Sequence, residues 1–342
     1  MEISLKKYGI DFEGPIAKAI KLDLKYIKEV RRESGFGEHQ TFYLGDEKFT
    51  GGKIVRKGKW GIVIEWTASD GTLMYEKRGY KEGTNLLPEA TLQVLARECL
   101  AKTDLSSCVS EVKYVLRRSR TVSFMMGPFI NVLSVHDALQ YIYSTGTLKG
   151  AAFDLWFIQI FTQIVLTLGY LEERLGLNHR DLKGDNILIS MVPATQNKEI
   201  EVLGKRFAVK YEHEIKLVDF GFACNGPQMN APAAVSVGDT FPPIEWCPKE
   251  GRDLYFILCY FYGQPLFRNS CSAELLRQIE KWLFADLGAE KVRESLLIYG
   301  LNRLEWISFL VNTSKYDCKS CCTKLVLRWI GERWPDVLKI CR

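Results

Sequence analysis

The chain has no apolar run behind its charged start (Glu2, Lys6, Lys7), so a secretory signal of the usual form is not expected. It has no internal repeat and no low-complexity tract, so a repeat array is excluded as well. Charge of one sign is not in excess. Lys and Arg number 46 against 41 Asp and Glu, a formal +5 that falls short of a dedicated nucleic-acid binder and leaves only a weak bias toward anionic partners. Histidine is scarce, at four, and the one cysteine cluster, Cys318-Lys319-Ser320-Cys321-Cys322, has no histidine beside it, so thiols are expected there and not zinc. Ten cysteines without a leader point to a reducing, intracellular setting, cytoplasmic or nuclear, in which thiols stay unpaired. No segment resembles a dimerisation module, and a monomer is expected.

What is present is enough for a large core. At 342 residues and 47% hydrophobic composition the chain can build two lobes, which excludes disorder and a small stapled scaffold. Ala151 to Leu171 is apolar enough to suggest a membrane span, but Asp154, Gln159 and Gln163 within it fit a buried core helix better, and no membrane is expected.

Along the chain, Ile16, Ile20, Leu24, Ile27 and Val30 recur at helical spacing, predicting an amphipathic helix over Pro15 to Glu33. From Phe42 to Tyr80 short β-rich runs follow (Lys53 to Arg56, Gly61 to Thr67, Leu73 to Lys77), and Asp70-Gly71 is the strongest hairpin signal. A helix is expected over Leu86 to Ala101, and strands over Val112 to Leu116 and Val122 to Met126. Beyond the Met-Gly-Pro-Phe of 126 to 129 the pattern becomes mostly helical. Helices are expected at Val135 to Ser144, Ala151 to Leu175, Asp253 to Tyr262, Ala273 to Leu287, Leu301 to Val311 and Thr323 to Glu332. The fold class is α+β, a small β-rich lobe followed by a larger helical one.

The densest polar cluster is His179-Arg180-Asp181-Leu182-Lys183-Gly184-Asp185-Asn186, set against the apolar Ile187-Leu188-Ile189. A carboxylate, an ammonium and an amide within six residues provide a proton acceptor, a neutraliser of phosphate charge and a metal ligand, the parts phosphoryl transfer needs. A second apolar strand, Ile215 to Val218, ends in Asp219-Phe220-Gly221. Another carboxylate at a strand end would complete a Mg²⁺ site.

These two motifs resemble the catalytic loop and the magnesium-binding Asp-Phe-Gly of the eukaryotic protein kinase family. The resemblance implies a bilobal protein-kinase-like fold with ATP and Mg²⁺. It divides the chain into an N-terminal helical extension (1–40), an N-lobe with a glycine-rich loop (41–126), a hinge (127–131) and a helical C-lobe (132–342). It also implies that Asp181 is the catalytic base, that Lys183 steadies the transferred phosphoryl group, and that Asn186 and Asp219 hold magnesium. Gly58, Gly61 and Val63 resemble the second half of the glycine-rich loop, and Lys77 the lysine that takes the α- and β-phosphates. Glu98 and Glu89 both qualify as that lysine's partner; counting back from Val112 favours Glu98.

Two residues depart from the family pattern. Arg56 stands where the first glycine of the loop would be, and Tyr75 stands two before the lysine, where a small residue is usual. Phe241-Pro242-Pro243-Ile244-Glu245 resembles the end of an activation segment spanning 222 to 240, in which Ser236 and Thr240 are candidate phosphate acceptors facing Arg180. Asp253 opens a helix like the one that anchors the catalytic loop. Lys183 is the arrangement associated with serine/threonine substrates on proteins. A binding scaffold without catalysis and a small-molecule kinase on the same fold remain the alternatives. The stretch between Ser190 and Glu214 is longer than the family has there and is expected to be a solvated hairpin.

Overall fold

The computed structural model describes residues 27–35, 37–58, 61–129, 131–226, 235–237, 247–285, 293–294, 296–297 and 319–341. The chain divides into two units, Met1–Arg97 with Ser110–Ile130, and Glu98–Val109 with Asn131–Arg342.

The first unit is built on an eight-stranded sheet. Its strands are β1 (Ile27–Glu29), β2 (Arg31–Ser34), β3 (Gln40–Leu44), β4 (Glu47–Lys57), β5 (Gly61–Ala68), β6 (Leu73–Gly79), β7 (Val112–Arg117) and β8 (Val122–Met126). They lie in the order β1-β7-β8-β6-β5-β4-β3-β2. The β5–β6 turn forms where Asp70-Gly71 predicts it: Gly71 takes φ 85° and the Asp70 carboxylate accepts from the Thr72 N–H at 2.8 Å. Alternation sends Ile64, Trp66 and Met74 to one face, where they pack with Phe42, Phe49 and Met125. The Phe42 ring stacks on Phe49 at 5.0 Å and meets Trp66 edge-on at 4.7 Å. Helix α1 (Leu87–Leu100) follows the sheet's sixth strand.

The helix expected over Pro15 to Glu33 needs correction. Residues up to 26 lie outside the described part, and from Ile27 to Ser34 the chain forms two short strands, β1 and β2. β1 pairs in parallel with β7, Ile27 opposite Val115, and β2 pairs with β3. Ile27 and Val30 are β-branched, and an available strand edge outweighs their helical spacing. The described part of 1–40 is therefore not a helical extension.

In the second unit, α3 (Ala151–Leu175) is the core helix, preceded by β9 (Val132–Ser134) and α2 (Val135–Thr145). It is long and apolar enough to cross a membrane, but 83% of its most apolar window is buried inside the protein. Ser134 caps α2 by accepting from the Asp137 N–H at 3.0 Å, and Gly146 ends it in the left-handed conformation. There follow β10 (Leu177–Asn178), β11 (Ile187–Val202), β12 (Lys205–Leu217), β13 (Cys224–Asn225), β14 (Val235–Ser236) and α4 (Arg252–Gly263). The unit continues with α5 (Pro265–Ser270), α6 (Ala273–Leu283), α7 (Thr323–Arg333) and β15 (Leu338–Cys341). The helix expected over Leu301 to Val311 lies outside the described residues.

β11 and β12 form one long hairpin closed by Leu203-Gly204, both at positive φ, and β15 adds to its outer half. The hairpin between Ser190 and Glu214 is thus present but solvated on one face only. Ile200, Val202, Phe207, Val209 and Tyr211 are buried on the other.

The expectation of unpaired thiols is also corrected. Cys224 and Cys247, both fully buried, form a disulfide across a separation of 23 residues. β13 pairs with β10, Asn178 opposite Cys224, and the Gly226 N–H donates to the Gly176 carbonyl at 2.9 Å, beside the backbone of Cys247. That approach is made by tertiary packing, which spacing in the sequence does not encode.

Candidate active site

The first unit carries an ion pair on the face of the sheet opposite its core. On β6, Glu76 points inward, where burial pushes its pKa up but Arg118 and Arg78 outweigh burial and hold it below the usual carboxylate range. It accepts from Trp66 Nε1 at 3.0 Å, Ser123 Oγ at 2.5 Å and Arg118 at 2.7 Å. A buried carboxylate with four donors around it fixes the register of β6, and a slip of one residue would strand it. Tyr75 and Lys77 therefore face the other way. Lys77 Nζ meets Glu89 Oε1 at 2.5 Å, with Glu89 only 3% exposed.

Glu89, in the first turn of α1, is the partner, and the expectation of Glu98 is corrected. Glu98 sits in the last turn of the helix, exposed, and belongs with the second unit. Counting back from β7 failed because the chain between α1 and β7 inserts a 3-10 turn at Ser106–Cys108 and does not return directly. Twelve residues separate Lys77 from Glu89, and the buried pair satisfies both charges.

The turn between β4 and β5 is closed by the Gly58 N–H donating to the Gly61 carbonyl at 2.7 Å; Lys59 and Trp60 lie outside the described residues. Gly61 is required sterically, since a Cβ there would come within 2.3 Å of the Arg78 carbonyl oxygen. Val63 is paired with Lys77 across β5 and β6, and Arg56 with Val63 across β4 and β5.

The second unit carries the polar loop between β10 and β11. Asp253, at the start of α4, accepts from the His179 N–H at 2.6 Å and the Arg180 N–H at 2.8 Å, so one buried carboxylate holds two consecutive peptide groups. His179 Nε2 lies 3.0 Å from the Val218 carbonyl, which can only accept; the ring proton is therefore on Nε2, and Nδ1 accepts from the Asp181 N–H at 3.4 Å. Its ring packs on Phe220 at 4.7 Å. Arg180, at φ 63°, is buried and donates to the Phe222 carbonyl at 2.6 Å. Of the two candidate phosphate acceptors, Thr240 lies outside the described residues, as do Phe241 to Glu245, and the Ser236 backbone pairs with Cys224.

This scaffold presents Asp181, 3% exposed, with Lys183 Nζ at 2.7 Å and Asn186 Nδ2 at 3.1 Å, both on Oδ2. Asn186 Nδ2 also donates to the Asp181 carbonyl at 2.9 Å, and the Asn186 carbonyl accepts from the Val218 N–H at 3.1 Å. Gly184 leaves room for Tyr260, whose hydroxyl a Cβ would approach to 2.8 Å and which bonds His136 Nδ1 at 2.8 Å. Asp219 follows at φ 67°, a left-handed conformation rare for a residue with a side chain, and its carboxylate accepts from the Gly221 N–H at 3.4 Å.

Asn186 and Asp219 fit a magnesium ion by their chemistry. With the Asn186 NH₂ turned to Asp181, its carbonyl oxygen is the ligating end, and Asp219 adds a carboxylate; hard oxygen donors suit Mg²⁺ when substrate phosphates and water complete the shell. Among the described residues no group of three or more His, Cys, Asp or Glu could hold a metal. Cys318 lies outside them, while Cys321 contacts the Trp282 carbonyl and is buried.

No family model matches the chain. A curated relative, the probable kinase 098L of Invertebrate iridescent virus 3, is 34% identical over 67 residues, 20% of this chain, and the match spans only 12% of that protein. A search of solved structures finds the crystal structure of the BubR1 kinase domain at 14% identity and TM-score 0.46, over 93% of this chain and 94% of that one. From the order of its own elements, a β-rich unit with a Lys–Glu pair and then a helical unit with the Asp181 loop and the Asp219 turn, the fold is protein-kinase-like.

Proposed function

We propose that this chain transfers the γ-phosphoryl group of Mg-ATP to serine or threonine hydroxyls of proteins. The observation that carries this reading is the Asp181 carboxylate, buried, bonded by Lys183 and Asn186, and mounted on backbone that Asp253 and His179 hold. An oriented carboxylate beside an ammonium is suited to align an acceptor hydroxyl, take its proton late in transfer and offset the charge of the moving phosphoryl group.

Each residue then has a task. Asp181 would accept the substrate proton while Lys183 neutralises the phosphoryl oxygens. Lys77, oriented by Glu89, would hold the α- and β-phosphates. Magnesium, when bound by Asn186 and Asp219, would supply charge neutralisation at the phosphates. Positioning and charge carry most of such a reaction.

The scaffold alternative draws on one observation, the Tyr75 ring on the same sheet face as Lys77. Against it stand the intact Lys77–Glu89 pair and the Asp181 loop, which a scaffold has no need to build. Substrate class separates the remaining readings. With labelled Mg-ATP and a generic basic protein, acid hydrolysis should yield phosphoserine or phosphothreonine. Label appearing instead on sugars, choline or aminoglycosides, with none on protein, would overturn the protein-substrate reading.

A further inference from the structure

Two residues before Lys77, Tyr75 occupies the same face of β6. Its cross-strand partner is Glu65 of β5, as Val63 is that of Lys77, so Val63, Glu65, Tyr75 and Lys77 share one surface. Tyr75 does not lie loosely there. Its hydroxyl donates to Glu65 Oε2 at 3.1 Å, and its ring packs on Phe129 at 5.3 Å.

The position of this clamp matters under the reading proposed above. The glycine turn closes beside the Gly61–Gly79 pair, on one side of Lys77, and under that reading is where backbone would approach phosphate. A nucleotide whose phosphates meet that turn and Lys77 runs its ribose and base the other way along β6. Two residues of strand, roughly 7 Å, bring it to Tyr75. Beside Tyr75 lies Met126, its pair on β8, and then residues 127–129 follow. There the Gly127 N–H is engaged by the Glu111 carbonyl at 3.2 Å and Pro128 has no N–H, so two of three successive positions offer no donor to a base.

Resting on the proposed kinase reading, we infer that Tyr75, clamped by Glu65 and Phe129, takes the place of a base platform, so that this site binds nucleoside triphosphates through their phosphates and discriminates little among bases. Tyr75 is a specificity-determining residue, and the co-substrate class is nucleoside triphosphates at large.

The test is calorimetric titration of the full chain with the magnesium complexes of ATP, GTP, CTP and tripolyphosphate, for wild type, Tyr75→Phe and Tyr75→Ala. Wild type and Tyr75→Phe should bind all four within about threefold of one another. Tyr75→Ala, which removes the ring, should tighten ATP by about tenfold and leave tripolyphosphate unchanged. A wild type that prefers ATP over CTP and tripolyphosphate by more than about tenfold overturns the inference while leaving the kinase reading intact. So does a folded Tyr75→Ala protein with no gain for ATP. If wild type and folded Tyr75→Ala bind none of the four, the kinase reading itself falls and the inference with it. Where Tyr75→Ala does not fold, the wild-type order of affinities decides alone.

Discussion

At the residue scale, the site depends on charges placed where water is scarce. Glu89 is the clearest case, since a buried carboxylate next to Lys77 orients the ammonium and loses that effect when neutralised. Glu89→Gln should lower the rate of phosphoryl transfer by about ten- to a hundredfold, and Glu98→Ala should leave it near wild type. Steady-state kinetics on the two variants checks this; equal losses would mean that the ion pair has no role in transfer. Glu172 of α3 offers a pH signature. Burial first, then the nearby Asp253 and Glu250 charges, raise its pKa to about 8. The folded protein thus retains a proton that the unfolded chain releases at the usual carboxylate pKa. Stability contributed by this group is full at low pH, declines as pH rises through the ordinary carboxylate range toward about 8, and is flat above it. Glu172→Gln should reduce that decline, read as urea midpoints at pH 6 and pH 9; an unchanged difference between the two would contradict it.

At the scale of elements, the Asp181 loop is held by α4 through Asp253, and it follows β10, which pairs with β13. The Cys224–Cys247 disulfide closes the chain between β13 and the segment leading to α4. In a chain-entropy account a loop of this length stabilises the fold by about 3 kcal/mol. Cys224→Ser should therefore lower stability by about that amount under non-reducing conditions and by little in excess reductant, where the wild type has lost the bond too. Denaturation in both conditions checks this, and a variant as stable as wild type without reductant would contradict it. Elements with strong local signals were legible in the sequence: α3 runs from Ala151 to Leu175 as its apolar composition predicts, and β8 from Val122 to Met126. The exceptions arose where partners distant in sequence decide. Ile27 joined a strand and the Val30 N–H donates to the Arg117 carbonyl because β7 offered an edge, and Cys224 met Cys247 because β10 and β13 pair.

At the scale of the whole molecule, the polar motifs were more legible than their tertiary partners. The Asp181 loop and the Asp219 turn could be read because their polar residues stand together on short stretches beside apolar strands. The Lys77–Glu89 pair could be read only as a choice between two glutamates, because the length of chain between α1 and β7 has no local signal. Asp253 as the anchor of two peptide groups, and Glu65 as the clamp on Tyr75, needed tertiary structure, since a single Asp or Glu in an unremarkable context carries no mark of its partner. The central claim is that Asp181 drives phosphoryl transfer. The most direct measurement is label incorporation from Mg-ATP into protein by wild type, Asp181→Asn and Asp219→Ala, each checked for folding by circular dichroism. The account expects transfer by wild type and a loss of at least about a hundredfold in both variants. Transfer that persists in folded Asp181→Asn, or a wild type that transfers nothing, would contradict it.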